Sequence, residues 1–221
     1  PWSRARTPAL TGRRVGVLTK VVHPQSGVGA AGMHCSVALR ALGASPEVVL
    51  LTSESEGADV LEAAGFGVRV LGLPKHGHRL DTSRAVHAAL AQMAPDWVHA
   101  HCYEPAVHTS RAIRWGLRTR LAVIIHDSRR RLRRRATAWP SRDVPDIVIA
   151  PSASAAEVMG AWYGYAPERR LVLPHPVEDR FLKPLAPPSE LKDELGIVDA
   201  YPTLLWTARL QRAKGHADLL R

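Results

Sequence analysis

Long apolar runs are missing from this chain, and so is any framework of cysteines. No uninterrupted apolar stretch approaches the roughly 20 residues that a membrane-spanning helix needs, so no transmembrane helix is expected. Cysteine occurs twice, at Cys35 and Cys102, and neither belongs to a C-x-x-C pair. Disulfide scaffolds are thereby excluded, and both residues read as buried or free thiols of a reducing compartment. The first residues, Pro1-Trp2-Ser3-Arg4, contain neither an initiator Met nor the apolar core of a signal peptide. Repeats and low-complexity tracts are also lacking. Acidic residues are in the minority, 20 against 30 Lys and Arg, which gives a formal net charge of +10 and a pI near 10.4. Such an excess invites anionic partners: phosphates, acidic lipid headgroups or nucleic acid.

What remains is globular composition, 46% hydrophobic and 23% charged over 221 residues, enough for one sizeable core and part of another. Apolar, β-branched runs alternate with helical-period stretches, the pattern of a parallel sheet covered by helices. Strands are expected at Val15–Thr19, Val48–Thr52, Val68–Leu71, Asp96–Ala100, Leu121–Ile125, Asp146–Ala150 and Leu171–Leu173. The helix over 27–42 should turn Met33, Val37 and Ala41 inward and stop at Gly43. A short helix is expected over 58–64, ended by Gly65. Asp81 or Thr82 should cap a helix lined by Val86, Ala89, Leu90 and Met93, and another should run over 105–115. Ser152 should cap a helix reaching Trp162. Prolines crowd the stretch from Pro174 to Pro202, which reads as a crossing and linker with a short helix over 189–195. Thr203–Thr207 reads as the start of a new strand.

The expected fold class is therefore α/β. A doubly wound, Rossmann-like parallel sheet fills residues 1–178, a linker spans 179–202, and a second Rossmann-like domain begins at 203–221. Such sheets bind ligands beyond the carboxyl ends of their strands, so four segments carry the candidate chemistry. The first is "SGVGAAG", Ser26–Gly32, where glycines and a helix N-terminus suit close approach to phosphate. Gly27, Gly29 and Gly32 satisfy G-x-G-x-x-G, with Glu54 as a ribose acid, but Lys20–Ser26 separate them from the strand that a dinucleotide fingerprint should follow at once. The second is "DWVHAHCYEP": His99 and His101 share one face of a strand, with His99 packed inside and His101 facing the cleft. A zinc pair is the minor option there, since no further ligands stand at metal spacing. The third is "LAVIIHDS", where His126 ends a central strand, poised to donate a hydrogen bond or to act near neutral pH. The fourth is "LLWTARLQRAKGHADLLR", in which Arg209 and Lys214 precede a helix and suit a diphosphate.

These segments, in this order, resemble a retaining glycosyltransferase of the GT-B fold, family 4. The likeness runs through Gly27-Val28-Gly29, "SVALRALGASPEVVLLT", "PDWVHAH", His126-Asp127, "DIVIAPS", "YGYAPERRLVLPHPVEDRFLKP" and "TARLQRAKGHADLL". The family's Asn-Gly-Val-Asp reads His175-Pro176-Val177-Glu178 here, and Ala208 replaces the glycine before Arg209. The resemblance implies hexosyl transfer from a nucleotide sugar to a glycan, lipid-linked or secondary-metabolite acceptor, without cofactor or metal. It implies that Gly27, Val28 and Gly29 lie near acceptor and donor phosphates, that His126 lines the cleft by the transferred sugar, and that Arg209 and Lys214 hold the diphosphate. It further implies a cytoplasmic protein whose arginine run, Arg129, Arg130, Arg131, Arg133, Arg134 and Arg135, meets anionic membrane peripherally. The family's E-x7-E segment falls beyond Arg221, so the chain reads as truncated and is expected to be inactive by itself. Two other classes compete: an NAD(P)-binding oxidoreductase built on Gly27–Gly32, and a basic nucleic-acid-binding module. The last lacks aromatics among its arginines, with only Trp139 nearby.

Overall fold

The structure, a computed structural model, describes residues 10–20, 27–52, 56–73, 80–126, 143–175, 188–197, 204, 206–208 and 214–220. Seven strands pair in parallel: β1 Arg14–Thr19, β2 Ser45–Leu50, β3 Gly67–Val70, β4 Trp97–His101, β5 Arg120–Ile124, β6 Ile147–Ala150 and β7 Arg170–Val172. Their order is β3-β2-β1-β4-β5-β6-β7. The chain winds outward from β1 to β3, returns to the centre, and winds outward again from β4 to β7. The reversal lies between β1 and β4, paired through Val15–Trp97 and Leu18–Ala100.

Alternation along the central strands shows why both faces are covered. In β1, Val15 and Val17 join Leu39, Leu61 and Phe66 in one core, whereas Leu18 joins Val86, Leu90 and Val98 in another. In β2, Val48 and Leu50 fall in the first core, Val49 in the second. A period of two thus feeds two apolar layers, as a sheet sandwiched between helices demands. Helices α1 Gly27–Ala41 and α2 Glu56–Ala63 cover one face; α3 Leu80–Met93, α4 Tyr103–Arg114 and α5 Ala153–Tyr163 cover the other. Edge strands β3 and β7 leave Val70, Leu171 and Val172 exposed.

Helix α1 departs from its expected packing. Val37 is 55% exposed and Ala41 is exposed, while Gly29, Gly32, Ser36 and Leu39 are buried. Half-buried Met33 packs against the core as expected, beside buried Leu39, while Gly29, Gly32 and Ser36 take the places expected of Val37 and Ala41. A Cβ on Gly32 would come 3.9 Å from Thr19. The Ser36 hydroxyl is satisfied within the helix, donating to the Gly32 carbonyl at 2.9 Å. Gly27, Gly29 and Gly32 also lie within the helix rather than in a loop before it. Likewise α3 begins at Leu80, so Asp81 and Thr82 sit in its first turn instead of capping it. Ser152 does cap α5, accepting from the Ala155 N–H at 3.2 Å, and Gly164 ends that helix at φ 72.

Two Pro-Asp pairs lock the amino edge of the sheet. Asp96, before β4, accepts the Arg14 N–H of β1 at 2.8 Å; Asp146, before β6, accepts the Leu121 N–H of β5 at 2.8 Å. Each carboxylate fills the hydrogen bond that a parallel neighbour cannot supply at its first residue. Arg13 and Arg120 pair with the same carboxylates at 3.3 and 3.2 Å. Backbone hydrogen bonding to Arg14 is the main reason that the Asp96 carboxyl is held below its usual range, with Arg13 contributing.

The chain divides into two compact units, Pro1–His175 and Pro176–Arg221. In the second, the described elements are α6 Pro188–Glu194, stopped by Gly196 at φ 63, and a short α7 His216–Leu219. Residues 204 and 206–208 are not in a strand, contrary to expectation, and Leu204 is 81% exposed. Among the described residues of this unit there is no strand to supply a ladder of hydrogen bonds.

Candidate functional site

The order of the sheet selects one crevice. Where β1 and β4 lie side by side their following connections diverge, opening a gap beyond the carboxyl ends where doubly wound folds take ligands. Lys20, one residue past β1, reaches across this gap. Its Nζ donates to Glu104 Oε2 in the first turn of α4 at 2.8 Å, and both side chains are partly buried. The first turn of α1, containing Gly27, Val28 and Gly29, follows from the same end of β1.

Backbone strain marks the neighbouring strand end. Cys102, between β4 and α4, has φ 75 and ψ 172, a region that is essentially glycine's own and costs a side-chain-bearing residue about 1–3 kcal/mol. Its N–H is fixed on the Ile124 carbonyl of β5 at 2.7 Å. This sharp exit lets β4 end on His101 and α4 begin at once.

Three imidazoles stack at these carboxyl ends. His101 is the last residue of β4, His126 follows β5 by two residues, and His175 follows β7 by three. His101 and His126 stack with centroids 5.3 Å apart at 15°, His126 and His175 at 5.1 Å and 11°. Their edges are hydrogen-bonded: His101 Nδ1 to His126 Nε2 at 3.1 Å, and His126 Nδ1 to His175 Nε2 at 3.5 Å. Burial falls along the column, from His101 at 2% exposed through half-buried His126 to exposed His175. Desolvation, aided by the repulsion that His126, His99 and His175 exert when protonated, pushes the His101 pKa down to about 3, so this ring is neutral at physiological pH.

His101 was expected to face the cleft. Instead it is buried at the end of β4, with its Nδ1 edge against His126. His99, on the same strand face, packs against α1, its Nδ1 lying 3.3 Å from Cys35 Sγ. Burial pushes His99 down to about 4 and the Cys35 thiol up to about 11, so the pair is a neutral thiol beside a neutral ring. Neither cysteine is in a disulfide. Among the described residues no three His, Cys, Asp or Glu side chains are placed to hold a metal ion. A further histidine absent from the sequence reading, His108, is sealed between α3 and α4 with Nδ1 2.8 Å from the Ser83 hydroxyl, and it serves packing there.

His126 thus occupies the carboxyl edge that its place after β5 predicts, and Gly27–Gly29 open the helix that begins beside the crevice. Lys214 is exposed in the second unit, just before α7. Arg209, Glu54, Asp127 and the arginines from Arg129 to Arg135 lie outside the described residues. Sequence reasoning missed His175 as a member of the column. Its signal was the departure of "PHPVED" from the family's Asn-Gly-Val-Asp, a histidine set where a strand had just ended. The Lys20–Glu104 bridge joins residues 84 apart and left no pattern to read.

Comparison with known proteins bears directly on this arrangement. The sequence profile described as Glycosyltransferase Family 4 matches residues 26–181, well over half the chain. The chain belongs to Glycosyltransferase Family 4. Curated protein sequences return no match. Among solved structures, a glycosyltransferase from Rickettsia africae superposes with TM-score 0.74 at 14% identity, over 94% of this chain and 56% of that one. HepE of Anabaena, solved in complex with UDP-glucose, gives 0.64 at 18% identity, over 85% and 50%. A putative UDP-N-acetylglucosamine 2-epimerase from Listeria monocytogenes gives 0.54 at 16%, over 72% and 44%. These likenesses establish the fold, that of the amino-terminal half of a GT-B glycosyltransferase, and not the reaction. The chain spans about half the length of the first two structures. Among the described residues no helix is long and apolar enough to cross a membrane.

Proposed function

We propose that this family member serves in hexosyl transfer from a nucleotide sugar to a glycan or lipid-linked acceptor, with retention of configuration. The observation that carries the reading is a family match whose residues include the column through His126, at the same carboxyl edge of the sheet as the crevice. In this reading His126 offers its ring edge to the transferred sugar, and the first turn of α1, Gly27–Gly29, lets substrate approach the backbone. Arg209 and Lys214 neutralise the departing diphosphate by charge alone, so no divalent cation is called for; fixed cations act where negative charge develops. The nucleotide sugar is the anionic partner that a chain of net charge +10 suits, and the complex of HepE with UDP-glucose supports that class of donor. The run Arg129–Arg135 provides peripheral attachment of a cytoplasmic protein to anionic membrane.

Titrating the 221-residue chain with UDP-glucose, UDP and NADPH, followed by fluorescence of its six tryptophans, tests the reading. Saturable quenching by the uridine compounds and not by NADPH is expected. The reverse would install the dinucleotide oxidoreductase in its place. Because the chain spans about half the length of its structural relatives, binding without turnover is expected; product formed from any of a panel of nucleotide sugars would overturn that part.

A further inference from the structure

The column leaves one atom unaccounted for. His101 Nε2 is fully buried and, among the described residues, has no hydrogen-bond partner. Since His101 is neutral, one of its two nitrogens carries a proton and the other a lone pair. A buried N–H without a partner is rarer in folded proteins than an unsatisfied acceptor, and leaving either one costs free energy. The orphaned Nε2 therefore keeps the lone pair and the proton sits on Nδ1. From there it can only be donated across the 3.1 Å contact to His126 Nε2.

We infer that His101 is a positioning residue that fixes the tautomer of His126, making its Nδ1 an obligate N–H donor toward exposed His175 at the carboxyl edge of the sheet. His126 Nε2 must accept from His101, so the proton of the neutral ring stands on Nδ1. That N–H is donated at 3.5 Å to Nε2 of exposed His175, a long contact to a group free to leave. His175 thus stands where a ligand oxygen, hydroxyl or phosphoryl, would accept the same bond. A donor held in this way suits oxygen acceptors and rejects another N–H, selecting among ligands as well as binding them. Among the described residues, the charged and titratable groups facing His101 are His99 on its own strand, His126 after β5 and His175 after β7. None is an acid that would draw the proton elsewhere.

The inference rests on the reading of His126 as the cleft-facing group of a sugar-nucleotide site, yet its test needs no ligand. The chain is labelled with 15N-histidine, and long-range nitrogen–proton correlation spectra are recorded near neutral pH. In the wild type His126 Nδ1 is expected to give a pyrrole-type signal and Nε2 a pyridine-type one. His101→Leu should lose that arrangement, the proton passing to Nε2, and His101→Asn, whose amide N–H can replace Nδ1–H, should restore it. His175→Ala, at the surface, should leave the His126 tautomer unchanged, which keeps the test open if His101→Leu does not fold. A wild-type proton on His126 Nε2, or a tautomer that flips with His175→Ala, would overturn the inference. The fluorescence titration fails or succeeds independently of these spectra, so the two readings fall separately.

Discussion

Acidifying the solution from about pH 7 to about pH 5 should destabilise this fold through two particular side chains. His99 and His101 remain neutral in the folded protein, with pKa values pushed down to about 4 and about 3 by burial. In the unfolded chain each returns to about 6.5. Between these limits the unfolded state binds protons that the folded state refuses, so stability rises with pH and falls as pH drops through 6.5. Integrated over those two pH units, each histidine removes about 2 kcal/mol, and the pair about 4 kcal/mol. Against a total of roughly 5–15 kcal/mol this is a large fraction, equivalent to a fall of about 10 °C in Tm for a chain of this size. The loss is complete once pH lies below the folded values. Urea unfolding followed by tryptophan fluorescence across the pH series measures it directly. The control is a His99→Asn, His101→Asn variant, which cannot titrate at either site and should lose about 4 kcal/mol of the wild-type pH dependence. If the variant keeps the wild-type slope, the two rings are protonated in the folded protein and the reasoning about their burial is wrong.

Asp146→Ala should cost about 2 kcal/mol, since it strands the part-buried Leu121 N–H that the carboxylate accepts at 2.8 Å. Asp146→Asn keeps an acceptor and should cost less; equal losses in urea denaturation would contradict the assignment. Cys35, with its thiol pushed up to about 11, should react with iodoacetamide at about pH 8 on the order of 100-fold more slowly than a free cysteine. Peptide mapping by mass spectrometry reads this out, and rapid native labelling of Cys35 would mean that His99 holds a thiolate after all.

How much of this was legible beforehand differs between elements for physical reasons. The seven strands announced themselves because central parallel strands bury both faces and so read as short runs of Val, Ile and Leu. Their bounds moved by one to three residues, since polar ends such as Ser45 and Arg120 pair in the ladder without an apolar signature. Helix α1 was found and Met33 packs inward as expected, but the rest of the stripe was misplaced: Val37 and Ala41 are exposed, and the buried positions are Gly29, Gly32, Ser36 and Leu39. The strand at Thr203–Thr207 read correctly as apolar, but pairing needs a neighbour and composition does not supply one. At the site, His126 was legible from its position after the most strand-like run in the chain. The column was not, because it joins the ends of β4, β5 and β7, and only the order of the sheet brings those ends together. Burial of His101 against His126 likewise depends on β5 lying beside β4, which no local pattern encodes.

The central claim is that a nucleotide sugar is bound at the crevice where the sheet reverses. It is tested most directly by titrating the 15N-labelled chain with UDP-glucose and following its amide and imidazole signals. The account predicts saturable shifts at Gly27–Gly29, His126 and His175, abolished by His126→Ala while the remaining spectrum stays folded. Signals there that stay unmoved by UDP-glucose, or that move with NADPH instead, would contradict it.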